Sequence, residues 1–191
     1  MKVIANLGTA ADKSYVAAHI IGMEVEALTY LPATAWGYAA ATLIGQSLGA
    51  GEIPKALRYG HVAAQQISVF AAIAACAYLA GAPLIYEVMT TEPDVRAIGV
   101  SAFRFLSWYQ VPLALLIVYI YSLRGSGDTR SPLFINVLGI FCVRLPLGYL
   151  FGIVLNGGLI GAWTGMCLDV VVRAGLSAFL YVRGKWAETV V

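Results

Sequence analysis

Charged residues stand at intervals along this chain, and long apolar runs fill the spaces between them. A helix that crosses a membrane needs ~20 apolar residues at 1.5 Å each to cover a ~30 Å hydrocarbon core. Five stretches meet that length: residues 16–48, 67–86, 98–123, 133–155 and 159–182. Lipid satisfies no backbone polar groups, so each must be a helix or part of a closed barrel. A barrel strand would alternate apolar and polar positions over ~10 residues, and these runs do not alternate. The pattern predicts an all-α polytopic bundle, a single transmembrane domain over residues 1–191. It has about five full spans and a partial one ahead of them, because residues 3–11 read as the last turns of a preceding helix. A signal peptide is the competing reading of that stretch, but Asn6, Gly8 and Thr9 interrupt its apolar core.

Composition agrees with the pattern. Of 191 residues, 60% are hydrophobic and 12% charged, about half the charge of a soluble domain. Mean hydropathy is +0.80. A net charge of +2, scattered along the chain, makes no nucleic-acid surface. The connections sort by charge. Lys55 and Arg58, Arg124 and Arg130, and the terminal Arg183 and Lys185 mark one side. Glu87, Glu92 and Asp94 against Arg96, and the uncharged residues 156–158, mark the other. Lys and Arg favour the cytoplasm, which places the C-terminus inside and residues 12–14 outside. Cys76, Cys142 and Cys167 fall within spans without CxxC spacing, so neither a disulfide nor a metal site is expected. There is no His-rich cluster, no Ser/His/Asp set and no pair of acids at a loop end, so no enzyme is expected either.

Ionisable groups at membrane depth are expensive and need a partner or a cavity. Glu24 and Glu26 lie about 200° apart on a helix and face opposite ways. His19, Glu26, Tyr30, Ala33 and Gly37 share one stripe. A carboxylate beside a phenol suits a cavity wall for a cation or a proton, since burial favours the neutral acid and a bound cation the charged one. The alternative is an interfacial glutamate near the outer headgroups, with a kink at Pro32 changing its depth. Arg144, two residues before Pro146, either bonds the carbonyls that the proline frees, pairs with an acid on another helix, or takes part in gating or coupling. Asp169 and Arg173, at i and i+4 with the acid first, make a local pair suited to structure or coupling. Arg104 snorkels. Trp108, Tyr109, Gln110 and Tyr119 sit on the third span with Ser107, Pro112 and Tyr121. They suit a wall for organic cations and serve equally as interfacial anchors.

Small residues punctuate the helices. Gly45-x-x-x-Gly49, beside Gln46, permits close backbone approach, as do Gly148-x-x-x-Gly152 and Gly157, Gly161 and Gly165. Gly49 and Gly51 suit a helix stop. Gly125 and Gly127 break a helix, and Asp128–Thr129 can cap the next one before Pro132.

The segments AAATLIGQSLGAG at 39–51, RGSGDTRSP at 124–132, RLPLGY at 144–149 and GGLIGAWTGM in the last span come in a telling order. Together they resemble the multidrug and toxic compound extrusion (MATE) transporters, and more narrowly the C-terminal half of a bacterial member. The resemblance implies half of a twelve-helix fold whose two lobes enclose a central cavity. It implies export of organic, often cationic, compounds across the inner membrane in exchange for H+ or Na+, with no other cofactor. Its partners are then membrane lipid, a small organic cation and the missing N-terminal lobe. The third span lacks the central acid that some sodium-coupled members carry, which favours protons. Two other readings stay open: a lipid-linked oligosaccharide flippase of the same superfamily, and a non-functional fragment or partner subunit.

Overall fold

The structure, a computed structural model, describes residues 11–184 and Trp186. The partial helix expected at residues 3–11 and the charge of Lys185 therefore lie outside the described residues, all but Ala11. Every described element is helical. Helix α1 is Ala11–Gly49 and α2 is Ile53–Met89. Between them the chain reverses through Gly51, whose φ of 74° is left-handed backbone that a glycine adopts without cost. Pro54 opens α2, where a missing N–H loses nothing. At 39 residues α1 is about 58 Å long, far more than a membrane core requires.

The third expected span is not one rod. It is α3, Pro93–Ser107, and α4, Gln110–Gly125, bent by 54° at Trp108–Tyr109. The cause is Pro112. It has no N–H for the carbonyl four residues back, that of Trp108, and its ring crowds that carbonyl, so the helix parts there. Pro32, by contrast, does not interrupt α1. Helix α4 is buried on most sides and packs against α1, α2 and α6, as a helix that is apolar all round should.

The rod α5, Arg130–Val154, has α-helical turns over Arg130–Leu138 and Leu145–Tyr149. It widens to π-helical turns at Gly139–Arg144 and Leu150–Val154. Helix α6, Gly158–Arg183, ends at Gly184 in the left-handed region with a φ of 71°. Helices α5 and α6 touch backbone to backbone: a side chain on Gly161 would strike the carbonyl of Phe151, and one on Gly165 the backbone of Gly148. The two glycine series are thus halves of one contact. Gly125 does the same between α4 and α1, lying on the backbone of Ala41 with Gly45 beside it.

Among the described residues three helices are long and apolar enough to cross a membrane, α2, α5 and α6, with the α3–α4 pair a fourth if taken as one span. Helix α1 is long enough but carries too many small and polar residues to join them. Some of these face protein: Thr29 Oγ1 meets Tyr78 Oη at 2.8 Å, and Trp163 Nε1 donates to His19 Nδ1 at 2.9 Å.

Candidate functional site

A cavity of about 430 Å³ opens between α1, α4, α5 and α6. Small-molecule pockets run to ~300–1,000 Å³, so this volume admits an organic compound of modest size. One wall is acidic and aromatic. Glu26 on α1 is 4% exposed, and the hydroxyl of Tyr109 donates to its Oε1. The carboxyl's Oε2 is buried with no hydrogen-bond partner among the described residues. Tyr30 lies one turn along α1 on the same face, and Tyr121 closes the wall from α4. Glu24, two residues from Glu26, is exposed, as opposite facing requires. The Pro112 break positions Tyr109. Held at the end of α4 rather than inside a continuous helix, its ring turns towards α1.

The facing wall is polar and basic. Arg173 Nε and Nη2 donate to Asp169 Oδ1 and Oδ2 at 2.8 and 2.5 Å, a two-pronged pair one turn apart on α6. Arg173 Nη1 also donates to Asn136 Oδ1 on α5 at 2.9 Å. Gly139 makes room for this cluster, since any side chain there would collide with Arg173 Cδ and Asp169 Oδ1. Arg144 reaches the same acid from α5, with Nε 3.9 Å from Asp169 Oδ2 and a side chain 38% exposed. Of the readings of Arg144, a pair with an acid on another helix is what the geometry contains. It donates nothing to the carbonyls near Pro146, where the π-helical turns rearrange the backbone hydrogen bonds. Arg124 lines the cavity from the end of α4, its guanidinium 5.6 Å from the centre of the Tyr121 ring.

Three of the aromatic and polar candidates stand elsewhere. Trp108 is 77% exposed and points away from the cavity lining, because the break that turns Tyr109 inward turns its neighbour outward. Gln110 is fully buried beside the break, its amide atoms without a partner among the described residues. Tyr119 lies on the far side of α4, its hydroxyl 3.3 Å from His61 Nδ1 and its ring against Tyr181. Tyr181 donates to the Ala56 carbonyl at 2.9 Å, and Trp186 stacks on it. Tyr30 and Tyr109 reach the site; Ala33, from the same predicted stripe as Tyr30, is buried instead in the core. Gln46 and Gly49 are exposed at the end of α1. Gly127 turns the chain with a φ of 89°, and Asp128 Oδ1 accepts from the Ser131 N–H at 2.9 Å, capping α5.

Three residues of the site, Asn136, Gly139 and Arg124, are not among those the sequence pattern singles out as site residues. Asn136 has a signal, being a strongly polar residue in an otherwise apolar stretch before Arg144. Arg124 has the look of a loop charge, and nothing in the sequence pairs Gly139 with a helix some thirty residues later.

The MatE family matches residues 1–150. The chain is 30% identical to the probable multidrug resistance protein NorM of Thermotoga maritima, across 99% of this chain and 41% of that protein. It is 28% identical to the multidrug resistance protein PmpM of Pseudomonas aeruginosa, across 95% of this chain and 40% of that one. Its fold superposes on the Vibrio cholerae MATE transporter VcmN in the bent form with a TM-score of 0.85 and 23% identity. That match covers 96% of this chain and 40% of VcmN. A MATE crystal structure in the straight conformation superposes with a TM-score of 0.88 at 17% identity, over 98% of this chain and 41% of that one. The chain thus spans about 40% of the length of these relatives. With its glycine-packed membrane helices and its family match over most of its length, the chain belongs to the MatE family.

Proposed function

We propose that this chain is one lobe of a secondary active exporter, the C-terminal one, and works with an N-terminal lobe that closes the cavity from the other side. It is a transport module, not an enzyme. Its C-terminus and basic connections lie in the cytoplasm of a cell whose inner membrane it crosses. The lobe carries organic compounds, cations among them, by alternating access, with the two lobes rocking about the site between them.

One observation supports this reading above the rest: a buried carboxylate, Glu26, faces the same cavity as the phenols of Tyr30, Tyr109 and Tyr121. Aromatic faces attract organic cations by ~0.5–2 kcal/mol each, and the carboxylate supplies the charge. Protons are the coupling ion of choice here. Glu26 has one oxygen held by a phenol and no second acid among the cavity's lining residues, too few oxygens to replace the shell of a metal cation. Exchange results if cation and proton compete for one carboxylate. The names of the relatives, multidrug resistance proteins, agree with this substrate class.

The flippase reading gains Arg124 and Arg173 beside Arg144. It loses Arg173 again, because Asp169 already neutralises it. The test is gradient-driven efflux by the full-length transporter that carries this lobe. Glu26→Gln should abolish export while leaving the protein folded and membrane-inserted. Undiminished export by that variant would remove Glu26 from coupling.

A further inference from the structure

A groove of about 570 Å³ runs between α2 and α3, with Pro83, Glu87, Arg96, Ser101 and Arg104 among its lining residues. Neither helix lends a side chain to the cavity around Glu26, so the groove belongs to a different face of the lobe. Two of its polar groups are already engaged. Arg96 Nη2 donates to the Thr90 carbonyl at 3.1 Å, tying the end of α2 to the start of α3. The hydroxyl of Ser101 donates to the Ala97 carbonyl at 2.9 Å. Arg104 and Glu87 are different. Both are exposed, and neither side chain has a hydrogen bond or an ion pair with any described residue. A guanidinium carries five N–H donors, so Arg104 offers a full fork to whatever fills the groove.

The two charges stand at different depths. The apolar run of α2 ends at residue 86, next to Glu87. Arg104 follows α3 back into the bundle, about 16 Å along the helix from Pro93. The groove therefore crosses the boundary between hydrocarbon and headgroups with its cation on the deep side and its carboxylate on the outer side. A bare arginine on a lipid-facing surface at that depth is disfavoured, and a headgroup phosphate is the anion within reach of its snorkelling side chain.

We infer that this groove seats one phospholipid, a zwitterion whose phosphate is gripped by Arg104 and whose primary ammonium reaches Glu87. From the glycerol outward such a lipid carries phosphate first and amine second, the order in which the groove presents their complements. The planar fork of Arg104 matches two phosphate oxygens at once. The carboxylate of Glu87 calls for N–H donors, which phosphatidylethanolamine has and phosphatidylcholine lacks. Phosphatidylglycerol brings no cation at all. The assignment goes beyond the export reading and uses no residue of the cavity.

The experiment is native mass spectrometry of the full-length transporter that carries this lobe, stripped of lipid in detergent. It is titrated with phosphatidylethanolamine, phosphatidylglycerol and phosphatidylcholine of the same acyl chains. The first lipid bound should be phosphatidylethanolamine, about tenfold more tightly than either other, the scale of one charge-assisted pair. Arg104→Gln should weaken it by about tenfold, and Arg104→Lys, charge without fork, should fall between. Glu87→Gln should bring phosphatidylethanolamine down towards phosphatidylcholine and leave phosphatidylglycerol unweakened. Lipid-free unfolding midpoints check that the variants are folded. No preference among the three lipids, or a preference that both glutamine variants leave intact, would overturn the seat. Equal weakening of phosphatidylethanolamine and phosphatidylglycerol by Arg104→Gln, with no effect of Glu87→Gln, would overturn the zwitterion and leave a plain anion seat. A dimeric mass that Arg104→Gln disperses would overturn the lipid and give the groove to a second copy. Each of these failures leaves the export reading standing, since that reading is tested at Glu26.

Discussion

Asp169 anchors the basic wall, and its replacement gives the sharpest test of how the lobe is held together. Asp169 is fully buried and the Arg173 side chain 10% exposed, so water screens neither. Asp169→Asn keeps the shape, removes the charge and turns one acceptor into a donor facing a guanidinium. Arg173 is then an unpaired buried cation with Arg144 as its neighbour. Removing one member of a buried pair costs about 3–5 kcal/mol. Insertion scales, an independent measure, put an unpaired arginine at the centre of a membrane helix at about 2.5–3.5 kcal/mol. Both point to a loss of roughly 3 kcal/mol or more. The assay is reversible unfolding of the detergent-purified full-length transporter, as a cycle of Asp169→Asn, Arg173→Gln and the double variant. Once the acid is gone, removing the arginine should recover part of the loss, giving a coupling energy of about 2 kcal/mol. A loss below about 1 kcal/mol for Asp169→Asn, or single effects that add within about 0.5 kcal/mol, would refute the reasoning.

Other substitutions probe the neighbouring contacts. Gly139→Ala pushes a methyl group into Arg173 and Asp169 and should cost about 1–3 kcal/mol by the same assay, less in an Asp169→Asn background. Tyr109→Phe leaves Glu26 without its donor and should destabilise by about 1.5–3 kcal/mol, the worth of a hydrogen bond to a charged group; an unchanged midpoint would dismiss that bond. Pro112→Ala restores an N–H to bond the Trp108 carbonyl, so spin labels on α3 and α4 should move apart as the 54° bend opens. Trp186→Ala removes a buried indole, its stack on Tyr181 and its hydrogen bond to the Tyr181 carbonyl, and should cost about 3 kcal/mol or more, with faster hydrogen exchange in the last turns of α6.

Much of this architecture is legible in the sequence because membrane depth imposes a strict rule. Long apolar runs must be helices, and the runs at 67–86, 133–155 and 159–182 fall on α2, α5 and α6. The last matches its helix to within a residue at each end, α5 starts three residues before its run, and α2 starts fourteen residues before its run because its first turns carry polar residues. The pair Asp169–Arg173 is legible because its geometry is local, four residues along one helix. Contacts that depend on a second helix escape. Pro112 is plain in the sequence, but its consequence, that adjacent Trp108 and Tyr109 point opposite ways, needs the bend. Tyr119 has the chemistry of a cation wall and turns instead to His61, because it comes two residues before the cavity-lining Tyr121, about 200° around α4, and so lies on the opposite side. Glycine spacing likewise announces close approach without naming the partner, which for Gly165 is Gly148.

The π-helical turns of α5 bear on how such a chain tolerates change in length. An ordinary helix cannot absorb an inserted residue, since each one rotates everything beyond it by about 100°. A π-helical turn is such an insertion already absorbed, its surplus residue stored as a wider loop of backbone. Deleting a single residue from Gly139–Arg144 would let the segment relax to ordinary helix and keep the register of the turns beyond it. The same deletion a few residues earlier, within Arg130–Leu138, would swing the helix ahead of it about 100° out of phase with Arg144 and the cavity wall. Relatives that differ here by one residue should therefore align with a gap inside a membrane-crossing helix, a place where gaps are ordinarily refused.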